Sequence, residues 1–143
     1  MQDTPAGESS RTTRKGACMF VNDSVVDRYI AIWNETDPEQ RRDLVGRVFT
    51  EDASYTDPLM LGAGHDNLDQ MFAAAQVQLP GARVSLLGEP DQHHGWVRFQ
   101  WQLHIDGSDD SLIDGIDIGR IAPDGRFEHI VGFLDKVPAG TTP

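Results

Sequence analysis

The chain has 143 residues and a mass of 15.8 kDa, enough for one sizeable hydrophobic core and too little for two. Its 38% apolar and 24% charged content, with six Phe, three Trp and two Tyr as anchors, is that of a globular domain rather than a disordered chain. A formal net charge of −11 and a pI near 4.6 argue against a nucleic-acid-binding or anionic-membrane surface, both of which need basic residues.

Cys18 is the one cysteine, so neither an internal disulfide nor a cysteine metal cluster is expected. No apolar run approaches the roughly 18 residues that span a bilayer. The stretch from Met1 to Lys15 is polar and lacks a secretory core. The cytoplasm is the expected location, and the glycosylation-like triplets at Asn22 and Asn34 are chance matches there.

Residues 1–18 show no period and read as a flexible tail, as do 138–143; residues 19–137 read as one domain. Asn22, Asp23 and Ser24 are cap-forming residues ahead of an apolar period. Val25, Val26, Tyr29, Ile30, Ile32 and Trp33 give a first helix ending near Asn34. Asp37-Pro38 opens a second helix with Glu39 to Arg42 on its wet side and Leu44, Val45, Val48 and Phe49 buried. From Phe49 to Leu59 the pattern predicts a helix end, a turn at Glu51-Asp52, and a short strand carrying Tyr55 and Asp57. Those two are two residues apart and share a face, and Pro58 stops the strand. Residues 61–64 read as a loop, and Asp66 or Asn67 caps a third helix carrying Leu68, Met71, Phe72 and Ala75.

The period then switches to two. Val84, Leu86 and Leu87 mark one strand. Val97, Phe99, Trp101, Leu103 and Ile105 alternate with Arg98, Gln100, Gln102 and His104 in the next. Leu112 to Ile121 and Phe127 to Val137 follow, joined by turns short enough to make antiparallel neighbours. Three helices followed by strands give an α+β domain.

Arg28-Tyr29-Ile30-Ala31-Ile32-Trp33-Asn34, Phe49 to Pro58, Gly64-His65-Asp66 and the run from Asp117 to Leu134 resemble the SnoaL-like branch of the nuclear transport factor 2-like superfamily over residues 24–136. The resemblance implies a cone-shaped, cystatin-like barrel, a curved and mostly antiparallel sheet wrapped around three N-terminal helices, usually homodimeric, with a deep hydrophobic pocket. Within the superfamily, ketosteroid isomerase carries a tyrosine after an arginine, a base aspartate before a proline, and a protonated aspartate on a late strand. Tyr29, Asp57 and Asp117 occupy those positions. By that likeness Asp57 is the base, and Asp117 with Tyr29 stabilises an enolate oxygen. The isomerase's two supporting tyrosines are replaced by Phe49 and Phe72, which donate no hydrogen bond.

Alternation on the strands turns Asp114 and Asp117 to opposite faces, with Gly115 and Gly119 leaving space above Asp117. Trp33, Tyr55, Met71, Phe99, Trp101, Ile130 and Leu134 are the expected ligand-contacting residues. Arg98 turns away from Phe99 and Trp101, so no arginine stands between two carboxylates as epoxide hydrolysis of this fold needs. The five histidines, His65, His93, His94, His104 and His129, lack the spacing of a helical ligand pair, and no metal is expected. No nucleophile elbow or glycine-rich phosphate loop is present, so no cofactor is implied. Two functions fit: a cofactor-free isomerase or cyclase acting by proton abstraction next to a carbonyl, or a non-catalytic ligand-binding or dimeric scaffold protein. The expected partners are a small hydrophobic ligand and a second copy of the chain.

Overall fold

The computed structural model describes residues 24–138. The tail at 1–18, with Cys18, and residues 139–143 lie outside the described residues, as do the cap candidates Asn22 and Asp23.

Helix α1 (Val25–Asn34) is capped by Ser24, whose side chain accepts the Asp27 N–H, and it buries Val26, Tyr29, Ile30 and Ile32. Helix α2 (Pro38–Val48) opens on Asp37, which accepts the Gln40 N–H at 2.9 Å, with Pro38 in the first turn. Arg41 departs from the expected wet side. It is 6% exposed, because its Nε reaches Asp69 at 3.0 Å and its guanidinium donates to Gln76 Oε1 at 3.0 Å. Gln76 in turn donates to the carbonyls of Trp33 and Glu35, so one buried cation ties the ends of all three helices together.

Strand β1 (Phe49–Thr56) follows α2 without a break. The turn expected at Glu51-Asp52 is absent; the strand absorbs those residues in a register shift against its neighbour between Phe49 and Ser54. A three-residue strand, β2 (Leu61–Ala63), lies where a loop was expected and pairs antiparallel with β1. Three residues around a glycine are too few to show a period. Helix α3 (His65–Gln78) starts from Gly64 at φ 83 with no side-chain cap, not from Asp66 or Asn67. The sharp exit from β2 needs the positive φ that glycine tolerates.

Strands β3 (Ala82–His93), β4 (Trp96–Ile105), β5 (Ile113–Ile121) and β6 (Phe127–Lys136) form an antiparallel meander. The β3–β4 turn places His94 at φ 49 and Gly95 at φ 83, the paired positive values of a tight hairpin turn. The sheet order is β2-β1-β6-β5-β4-β3, with β1 parallel to β6 and every other pair antiparallel. It is therefore mixed and does not close, ending at β2 and β3. The helices cover its inner face, where Tyr29, Phe49, Phe72, Phe99 and Phe127 meet in a cluster of edge-on and tilted rings.

Gly119 makes room for that cluster. A Cβ there would fall 2.4 Å from Phe127 Cε1. Gly119→Ala is expected to lose about 1–3 kcal/mol of stability by overpacking, read as a lower midpoint in urea denaturation.

Candidate functional site

Asp57 lies just past β1. Pro58 offers no N–H, and the chain turns so that Asp57 Oδ1 accepts the backbone N–H of Leu59 at 2.8 Å and of Met60 at 2.9 Å. Its other oxygen accepts the Tyr55 hydroxyl at 2.5 Å. Asp57 is thus both a turn aspartate and an acid beside a ring.

Asp117 sits at the centre of β5 with Phe99 and Gly132 as its strand partners, and is 1% exposed. Tyr29 donates its hydroxyl to Oδ2 at 2.7 Å, and the Trp101 indole N–H donates to Oδ1 at 3.0 Å. Burial pushes Asp117 up to about 6; the bonds from Tyr29 and then Trp101 pull it down, and the charge of Asp57 adds a small upward push. Both tyrosines are held well above their ordinary range, first by burial and then by the charge of Asp117. They are neutral donors at any working pH.

The two acids meet at Gly132. A Cβ at that position would fall 2.6 Å from Asp117 Oδ1, 3.3 Å from Asp57 Cβ and 3.5 Å from the Tyr55 hydroxyl. A residue without a side chain is what lets both carboxylates and the phenol share this point. The expected space above Asp117 is not empty. A Cβ on Gly115 would lie 2.3 Å from Trp101 Cζ2, and Phe127 occupies the volume over Gly119. The glycines accommodate rings rather than leaving a void.

A cleft of about 760 Å³ opens between α1, α3 and the sheet beside this pair. Asp57, Trp33, Tyr55, Met71, Trp101 and Leu134 are on its wall. Tyr29 and Asp117 lie one layer behind it. Phe99 and Ile130 point to the same side of the sheet but are core residues, 2% and 1% exposed, because α1 covers that part of the sheet with Tyr29 against Phe99. Among the described residues no Lys, Arg or His is on the wall, and Asp57 is the charged group there. Sequence reasoning missed a stripe on α3, namely Asn67, Gln70, Ala74 and Gln78. These small and polar residues recur at helical spacing on a face too polar to be core, which was the available signal. Among the described residues no group of three or more His, Cys, Asp or Glu gathers as a metal site, and no helix is long and apolar enough to cross a membrane.

Neither a family model nor a curated protein matches the sequence. Solved structures do. A candidate isomerase of the SnoaL-like family from Agrobacterium tumefaciens is 40% identical, with a TM-score of 0.75, over 78% of this chain and 94% of that one. An NTF2-like protein of unknown function from Exiguobacterium is 20% identical at a TM-score of 0.63, over 78% and 98%. A candidate polyketide cyclase from Sinorhizobium meliloti is 15% identical at 0.60, over 76% and 92%. The last two speak to the fold alone.

The inner acid links proton binding to stability. Its folded value, about 6, lies above the ordinary 3.8 of an aspartate, so between those limits the folded state binds more protons than the unfolded. Its contribution is therefore present in full below pH 3.8 and lost as pH rises through 6. Two units correspond to about 3 kcal/mol. In urea titrations at stepped pH, the stability difference between wild type and Asp117→Asn is expected to move against wild type by about that amount from pH 4 to 7.

Proposed function

The chain belongs to the SnoaL-like family, and on that premise we propose that it is a cofactor-free isomerase or cyclase acting on a small hydrophobic carbonyl compound. The observation that carries the reading is the meeting of two carboxylates in unlike surroundings at the end of an apolar cleft, one on its wall and one buried behind it. Asp57 takes a proton from the carbon next to the carbonyl; the C–H electron pair passes into the enolate and the proton rests on the carboxyl. Asp117 and Tyr29 serve the oxygen side. Both stand behind the cleft wall, where Trp101 donates to Asp117 and Tyr55 to Asp57. Trp33, Met71 and Leu134 supply apolar contact for the rest of the substrate. The cytoplasm is its proposed place of work.

One observation favours a second reading, a ligand-binding protein without chemistry. Both oxygens of Asp57 already hold donors, three in all. Deuterium exchange into a panel of cyclic and aromatic ketones, followed by proton NMR, separates the two. The catalytic reading expects exchange that falls about 100-fold or more in Asp57→Asn. Undiminished exchange in that variant sinks it, and binding of the ketones without any exchange establishes the second reading.

A homodimer is the proposed assembly, supported by the outer face of the sheet. There Phe133 and Val131 are 52% and 39% exposed beside half-buried Ile116 and Ile118. Arg120 and His129 lie at one end of this patch, and Asp114 beside Lys136 at the other. Asp114 Oδ1 is buried with no hydrogen-bond partner in the described residues, and a donor from a second copy would satisfy it. Sedimentation at micromolar concentration is expected to show a dimer that Phe133→Glu converts to monomer; a wild-type monomer rejects the assembly.

A further inference from the structure

Trp101 belongs to two surroundings at once. Its ring lines the cleft, whereas Asp117, to which its N–H is bonded, does not. The indole lies so tightly over Gly115 that a Cβ there would fall 2.3 Å from Cζ2 and 2.6 Å from Cε2. The sheet thus blocks movement of the ring inward, and the open side is the cleft. Each oxygen of Asp117 has one side-chain donor, Tyr29 from α1 on Oδ2 and Trp101 from β4 on Oδ1. The other titratable groups facing this carboxylate are Tyr55 of β1 and Asp57 of the turn after it. Its strand partners Phe99 and Gly132 bring no charge.

We propose that Trp101 is a positioning residue that walls the inner carboxylate off from the cleft and ties its proton affinity, through one N–H, to the seating of the indole. The proposal rests on the reading of Asp117 as the inner acid of the site. Lifting of the ring from Gly115 into an empty cleft removes one of the two donors to a carboxylate that stays buried, and a ligand that fills the cleft blocks that movement. Donors to the ionised form favour that form, so their loss raises the affinity for a proton. Occupancy of the cleft is then coupled to protonation of a residue the ligand does not touch. This gives the tryptophan a role separate from apolar contact with ligand, which any ring of similar size would supply.

The test uses the whole chain, without a ligand, and indole ¹⁵N–¹H NMR. The Trp101 signal, identified by its loss in Trp101→Phe, is expected to shift with pH with the midpoint of Asp117, about 6, and to stop titrating in Asp117→Asn. In Trp101→Phe, the Asp117 carboxyl signal in ¹³C spectra is expected to titrate about one unit higher, since one donor is gone. A wild-type indole signal indifferent to pH between about 4 and 8 overturns the proposal, as does an unmoved Asp117 midpoint in Trp101→Phe. The wild-type arm requires only that the native protein be folded. Because no substrate is involved, a failure here leaves ketone exchange by Asp57 intact. Absence of that exchange beside a titrating indole rejects the catalytic reading and not the coupling.

Discussion

Everything near the site depends on holding a carboxylate in the middle of a β-sheet at 1% exposure. An unpaired charge there costs several kcal/mol, and among the described residues no cation is bonded to Asp117 to offset it. The protein answers with two neutral donors from different layers. Tyr29 comes down from a helix and Trp101 lies along the neighbouring strand, each taking one oxygen. The surroundings of those donors then become constrained in turn. Tyr29 is set by a ring of Phe49, Phe72, Phe99 and Phe127, and Trp101 by the missing side chain of Gly115.

The outer acid is held by different physics. Backbone N–H groups of a tight turn fix Asp57 Oδ1, and a tyrosine fixes Oδ2, so its position follows from local chain geometry and not from packing. One carboxylate on the cleft wall and one buried behind it is a pair in unequal surroundings. Gly132 permits the pairing, since any side chain there would push the inner acid away from Tyr55 and Asp57. The helices are locked over this arrangement by Arg41, Asp69 and Gln76.

Much of the architecture was legible from local rules. The run Asn22-Asp23-Ser24, of which Ser24 is the cap, and Asp37-Pro38 announced two helix starts, because a cap or a proline acts on groups within one turn of itself. Alternation along Trp96 to Ile105 and Ile113 to Ile121 assigned faces correctly, Asp117 inward and Asp114 the other way. Harder features involved partners distant in the chain. Arg41 read as solvated because its partners Asp69 and Gln76 are 28 and 35 residues away. The strand Leu61–Ala63 was missed because it exists only by pairing with β1.

Of the site, the chain by itself determined which residues carry ionisable or donor groups and which way each faces: Asp57 before a proline, Tyr55 on the same side, Tyr29 and Trp33 one helical turn apart, Asp117 inward. These follow from periods of two and 3.6, which are properties of the backbone alone. Only the tertiary structure decided that Tyr29, Phe99 and Ile130 lie in the core while Trp33, Tyr55, Met71 and Trp101 face the cleft. It also decided that glycines at 115 and 119 hold rings and that Gly132 brings the acids together. The reason is physical: a face says where a side chain points, while burial and contact depend on what another element places opposite it.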